Sequence, residues 1–198
     1  GGSPSTPLTD FINIASTGNA ASFGNLQMAD GSDGGACSSF TRALHSGNSS
    51  VSTADIDYFT IASTGNAALF GDLSVAGRHL AAVSNSIRGC FGGRYTPSQS
   101  NVIDFVTMSA TGNATDFGDL IAARQYMGGM GNKIKGIYGG GDGASNVIQS
   151  TAIFATGGNC SDFGNLTVGR LGLTAVGNDT RIIFAGGDNA PSYKNEID

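Results

Sequence analysis

Phe-Gly pairs recur through this chain at Phe23-Gly24, Phe70-Gly71, Phe117-Gly118 and Phe163-Gly164, at intervals of 47, 47 and 46 residues. Each is followed by Asn or Asp and then by Leu26, Leu73, Leu120 or Leu166. Ala110-Thr111-Gly112-Asn113-Ala114-Thr115-Asp116-Phe117-Gly118-Asp119-Leu120 is one copy of a stretch whose close copies recur three more times. A period in the forties is the length of a four-stranded unit or of a helical pair. Composition decides for strands: Gly occurs 32 times, Glu once and Lys three times, so turn formers abound and strong helix formers are scarce. Four copies, starting near residues 10, 57, 104 and 150, occupy nearly all of the 198 residues, so residues 1–198 read as one domain.

Within a copy the strands follow from local chemistry. Leu8-Thr9-Asp10-Phe11-Ile12, Ile56-Asp57-Tyr58-Phe59-Thr60 and Ile103-Asp104-Phe105-Val106-Thr107 are rich in β-branched and aromatic residues. Gly-Asn at 18–19, 65–66 and 112–113 supplies a turn, and the Phe-Gly strand returns antiparallel. The fourth copy carries an extra glycine there, Gly157-Gly158-Asn159. Next comes an Arg before small or apolar residues, with Arg78, Arg124 and Arg170 taken as equivalent. Hairpin turns at Asn85-Ser86-Ile87-Arg88, Asn132-Lys133-Ile134-Lys135 and Asn178-Asp179-Thr180-Arg181 lead into strands that end on Gly-Gly, which makes four strands per copy. The first copy is atypical, with Asp30 where the later ones have Arg, as terminal repeats often are. The four Phe of the Phe-Gly pairs are expected to be core residues.

An aromatic before Gly-Gly, a variable loop, an Asn-hydrophobic-acidic-aromatic strand, a bulky aromatic and an Arg before a small-residue strand together resemble the kelch repeat. Phe23, Phe70, Phe117 and Phe163 stand where kelch repeats carry Trp, which this chain lacks. The resemblance implies an all-β, kelch-like β-propeller of four blades, each of four antiparallel strands, with the small-residue strand innermost. The N-terminal half of a blade and the C-terminal half are expected to join and close the ring. The loops after Gly-Gly then share one face, which gathers Arg94, Tyr95, Asp142, Asp188 and Tyr193, with Arg78, Arg124 and Arg170 nearer the axis. Tyr faces beside Asp and Arg groups suit a sugar, an apolar platform with a polar edge. For the three axial arginines a structural reading stands beside this and is favoured, because Asp72 and Asp119 lie near the first two in sequence and a recurring residue type serves the repeat.

The Thr-Gly-Asn-Ala and Phe-Gly-Asp-Leu wording also resembles repeat proteins of marine bacteriophages, usually taken as virion or tail-fibre components. That resemblance implies a virion or extracellular location and, as partners, a host-surface glycan or protein receptor or other virion proteins. A net charge of −5 with no Lys/Arg cluster argues against nucleic acid. No apolar run reaches the ~18 residues of a membrane span, and the N-terminus lacks the charged and apolar regions of a signal peptide.

Catalysis finds little support. Copper sites on kelch-like propellers need several His and Tyr ligands, and only His45 and His79 are present. Asp30-Gly31-Ser32-Asp33-Gly34 lacks the alternating ligands and closing Glu of a calcium loop. Cys37, Cys90 and Cys160 are odd in number with no close pair, hence small buried hydrophobes rather than disulfides or metal ligands. No cofactor or metal is expected. A non-enzymatic binding or structural module is the reading adopted. The alternatives are a carbohydrate-active enzyme, with Asp142 and Asp188 as paired carboxylates, and a repeat scaffold without a ligand. Gly1-Gly2-Ser3 reads as a linker, and Asn195-Glu196-Ile197-Asp198 repeats the opening of a further copy, as a fragment of a longer array would.

Overall fold

The computed structural model describes residues 6–27, 33–48, 51–153, 155, 157–189, 192–193 and 195–198. It is all-β, with no helix among the described residues. The chain opens with a hairpin of β1 (Leu8–Phe11) and β2 (Ala21–Asn25). Three antiparallel four-stranded meanders follow. Unit 1 holds β3 (Gly35–Ser38), β4 (Arg42–Ser46), β5 (Thr53–Thr60) and β6 (Ala68–Gly77). Unit 2 holds β7 (Ala81–Ser84), β8 (Arg88–Thr96), β9 (Ser98–Thr107) and β10 (Thr115–Asp119). Unit 3 holds β11 (Met127–Gly131), β12 (Gly136–Gly140), β13 (Val147–Thr151) and β14 (Ser161–Asn165). A second hairpin, β15 (Thr174–Gly177) with β16 (Ile182–Ala185), begins unit 4, and β17 (Asp188–Asn189) pairs with β18 (Ser192–Tyr193).

The Asn turns form as their sequence dictates. Asn85 Oδ1 accepts the amides of Ile87 and Arg88, and Asn132 and Asn178 do the same two and three residues on. The Phe-Gly pair is a β-bulge. Between β9 and β10 the pairing steps from Asp104↔Asp116 to Ile103↔Gly118, leaving Phe117 without an opposite residue, and the same step isolates Phe23, Phe70 and Phe163. A bulge re-aims a side chain, and here it drives Phe out of the sheet toward the next unit. Gly71, Gly118 and Gly164 lie at φ of +157°, +143° and +148°, where a Cβ is unwelcome.

At each seam the next unit's Gly-Asn turn lies along that bulge. Gly65, Gly112 and Gly158 donate their amides to the carbonyls of Phe23, Phe70 and Phe117 at 2.8, 2.8 and 2.7 Å. Asn66, Asn113 and Asn159 accept from the amides of Asn25, Asp72 and Asp119. Phe70 and Phe117 are consequently buried, and Phe23, beneath Phe59, is half-buried. Phe163 departs from the expectation of a core residue: it is 55% exposed, because no following turn covers it.

A second seam bond comes from a side-chain oxygen, carboxylate or amide, that follows in the next part of the repeat. Asp57, Asp104, Gln149 and Asp198 accept, respectively, from the amides of Gln27, Ser74, Ile121 and Thr167, each the residue after the Leu of a Phe-Gly-x-Leu strand. Asp104 is wholly buried and pairs with equally buried Arg94 at 2.8 Å, and Asp198 pairs with buried Arg170 at 2.5 Å. The two arginines reach the same place from different points of the repeat. Arg94 Nη1 donates to Val75 O and Arg170 Nη1 to Val168 O, equivalent carbonyls. Gly77 occupies the position of Arg170, and a Cβ there would fall 2.7 Å from the Arg94 side chain. Conversely Gly187 occupies the position of Arg94. Unit 3 has Gln149 in place of the acid, and its Arg124 turns away to the carbonyl of Asp142 at 3.2 Å.

The first strands of the units are neighbours, β3 beside β7, β7 beside β11 and β11 beside β15. Their small residues, among them Gly35, Ala81, Gly128 and Thr174, line a common cavity of about 280 Å³. The expected joining of the two terminal hairpins does not occur. The edge of β16 is taken instead by residues 196–198: Ile197 bridges Ala185, and Phe184 and Asp198 exchange both backbone bonds at 2.9 Å. The reason is register, since Asp198 supplies the carboxylate that Asp10 would have brought.

Three outcomes test this account. Phe117→Ala should cost ~3–5 kcal/mol in urea unfolding, and Phe163→Ala less than ~1 kcal/mol, as for an exposed side chain. Arg94→Gly alone strands a buried carboxylate and should cost ~3–5 kcal/mol, whereas Gly77→Arg with Arg94→Gly should restore most of the loss by moving the guanidinium to the route used in unit 4. The Asp198 carboxyl is raised by burial but lowered further by bonds from Thr167 and Arg170, and lies below its ordinary value. Its contribution is therefore complete above the ordinary carboxylate range and lost as pH falls through the depressed value. In dilute protein Asp198→Asn should melt below the parent at neutral pH, and the gap should close in strong acid.

Candidate functional site

One two-residue bridge repeats at the entry to β7, β11 and β15. Arg78 and Tyr95 exchange backbone bonds at 3.2 and 2.9 Å, Asp142 donates to the carbonyl of Gln125 at 3.0 Å, and Leu171 and Asp188 exchange bonds at 2.9 and 2.8 Å. The next residue then turns left-handed to enter the strand. His79 lies at φ +60°, Tyr126 at +59° and Gly172 at +66°, and Asp33, their counterpart before β3, at +56°. The turns are linked across units, Tyr126 N–H to His79 O at 3.1 Å and Gly172 N–H to Tyr126 O at 2.9 Å. Asp33, His79, Tyr126 and Gly172 thus line one mouth of about 150 Å³ over Leu80, Met127 and Leu173, which also line the cavity between the first strands.

Gly172 shows what this backbone asks for. Three of the four positions nonetheless carry side chains, at a cost of ~1–3 kcal/mol each, and their chemistry converges. The Tyr126 ring stacks on His79 at 4.1 Å between centroids, 20° from parallel. His79 Nδ1 lies 2.8 Å from Gln125 Oε1, and Tyr126 Oη lies 3.1 Å from His79 Nε2. An amide oxygen only accepts, so Nδ1 carries the hydrogen and Nε2 accepts from the tyrosine hydroxyl. Burial, together with the carboxylates of Asp33 and Asp142, raises the Tyr126 hydroxyl above its usual value against the opposing effect of Arg78. It therefore stays a donor at neutral pH. Asp142 accepts from the Gln99 side-chain amide and from both the backbone and side-chain amides of Gln125. Beside it the guanidinium of Arg78 lies over the Tyr95 ring at 4.8 Å.

The residues singled out in the sequence divide. Tyr95, Arg78, Arg124 and Asp142 belong to this cluster, half-buried on one face, and Asp188 holds the equivalent bridge one unit on. The side chain of Tyr193 lies outside the described residues, as do Asp30, Gly31 and Ser32. Arg94 and Arg170 do not present to a ligand, because both are fully buried in carboxylate pairs. Nor are the three axial arginines equivalent: Arg78 stands one place later than Arg124 and Arg170, at the position of Gln125 and Leu171. Arg124 bonds the Asp142 carbonyl rather than the side chain of Asp119. Asp33, His79, Gln99, Gln125 and Tyr126 were not anticipated. Their signal lay in Arg78-His79-Leu80, Gln125-Tyr126-Met127 and Leu171-Gly172-Leu173, where otherwise similar copies disagree before a shared apolar residue.

Among the described residues no group of three or more His, Cys, Asp or Glu is placed to hold a metal ion. The three cysteines are free thiols, and burial pushes Cys90 and Cys160 up to about 12 and Cys37 further, so none is a ready nucleophile. Compared with known proteins, the chain matches no protein-family model and no curated sequence.

Proposed function

We propose that this protein is a non-enzymatic recognition module of a phage particle that binds a polyhydroxylated ligand, a host-surface glycan, at the mouth formed by Asp33, His79 and Tyr126. The observation that carries the reading is the run of left-handed turns, where one backbone geometry, suited to glycine, is spent on three chemically different side chains. Strain of this kind persists where the side chain has work to do. A stacked Tyr-His pair offers an apolar face, and Gln125, Gln99 and Asp142 offer amide donors and carboxylate acceptors at its edge, the combination that a sugar ring with alternating C–H faces and hydroxyls requires.

The virion assignment rests on the likeness of the repeat wording to marine phage proteins. The propeller assignment rests on the meanders and on the four first strands that share one cavity. On this reading the units are kelch-like blades, the mouth is one end of the axis, and the protein acts outside the cell.

The test separates binding from folding. Tyr126→Gly removes the stacking face while relieving a left-handed residue, so its melting temperature should not fall. Its affinity for a glycan identified by array screening should fall at least tenfold, a loss of ~1.4 kcal/mol. Retained affinity in the folded variant would remove the site, and turnover of the bound glycan would replace the module with an enzyme.

A further inference from the structure

The N-terminal hairpin and the end of unit 3 expose complementary surfaces. At the C-terminal end Phe163 has no Gly-Asn turn upon it, and a Cβ on Gly164 would meet nothing within 4 Å. At Gly71 and Gly118, the same position, a Cβ would fall 2.2 and 2.7 Å from the next unit's turn. Beside Phe163 opens a cavity of about 300 Å³ lined by Lys135, Ile137, Ile148, Ile182 and Phe184. Lys135 shows the same vacancy in another way. Its counterparts Arg42 and Arg88 reach forward to the carbonyls of Met108 and Ile153 in the next unit, while Lys135 lies over the Phe163 ring at 5.1 Å.

At the N-terminal end the opposite holds. The Thr17-Gly18-Asn19 turn is exposed, and Ala20 is exposed where its counterpart Ala67 is buried. Asp10 is exposed where Asp57 and Asp104 are wholly buried. Leu8, Ile12 and Ile14 are 66%, 61% and 95% exposed. The β1–β2 hairpin consists of the third strand, the turn and the Phe-Gly strand of the repeat.

We propose that this hairpin completes unit 4 of a second copy of the chain, head to tail. Its Thr17-Gly18-Asn19 turn lies along Phe163–Asn165, as the Gly-Asn turns do at the three internal seams. Its Asp10 takes over Arg170 and the Thr167 amide from Asp198, whose segment 196–198 yields the β16 edge. The contact is heterologous, using different surfaces on the two partners, so it propagates or closes into a ring instead of stopping at a symmetric dimer. The exposed apolar side chains Leu8, Ile12, Ile14 and Phe163 are what such association buries. This inference stands on the seams and is independent of the ligand at the mouth.

Sedimentation equilibrium of the full chain over a wide concentration range tests it. The parent should associate with rising concentration. Phe163→Asp and Asn19→Lys, both at exposed positions, should each abolish association with melting temperatures unchanged. Mixed together they should form a 1:1 dimer, because one retains a sound head and the other a sound tail. Asp198→Ala leaves Arg170 in need of a carboxylate, so association should set in at least tenfold lower in concentration, and Asp10→Asn should cancel that gain. A parent and Asp198→Ala protein that stay monomeric, a Phe163→Asp protein that still associates, or mixed variants that remain apart would each overturn the proposal.

Discussion

The seam between units rests on hydrogen bonds that a single unit cannot make for itself, and one of them finishes the unit's last strand. The amide that follows each Phe-Gly-x-Leu strand sits where its own sheet has ended, and it is satisfied by an oxygen from the third strand of the following unit. A backbone amide left without a protein partner forfeits about one hydrogen bond, so the next unit's oxygen adds to the stability of the unit before it. The bulge beside this amide depends on the same contact. It pushes Phe out of the sheet, and the protruding ring is buried only where a neighbour's turn lies over it.

What surrounds that oxygen varies, and the variation follows electrostatics. Where it belongs to Asp104 or Asp198, a guanidinium is present to compensate the buried charge. Where it belongs to Gln149 no charge needs compensation, and Arg124 is released toward the face that bears the mouth. An arginine can be drawn from either of two positions only because the other position is glycine in that unit. At Gly77 the exchange is a volume constraint, since a Cβ there would fall 2.7 Å from the Arg94 side chain, whereas at Gly187 the φ of +105° and the Leu171 carbonyl at 2.8 Å are what favour glycine.

The mouth uses the repeat in the opposite sense. There the backbone is constant and the side chains differ, so Asp33, His79, Tyr126 and Gly172 are presented at equal stations around one opening. A repeat architecture thereby separates stability, which lies in the recurring seam, from side-chain variety, which needs only that one position per unit be free to change.

By itself the sequence determined the unit length, the four strands per unit, the Asn turns and the all-β class. These follow from short-range chemistry, namely Gly-Asn turns, β-branched runs and a Phe-Gly pair at constant spacing. The buried status of Arg94 was illegible, because its carboxylate lies ten residues away in the next strand and its space is provided by Gly77 on another. His79 and Tyr126 read as ordinary residues, since a left-handed φ at a non-glycine position leaves no mark in composition. The exposure of Phe163 was equally hidden. Its wording matches that of Phe70 and Phe117, and only the tertiary structure shows that a residue buried by its successor is exposed where the successor's turn is missing.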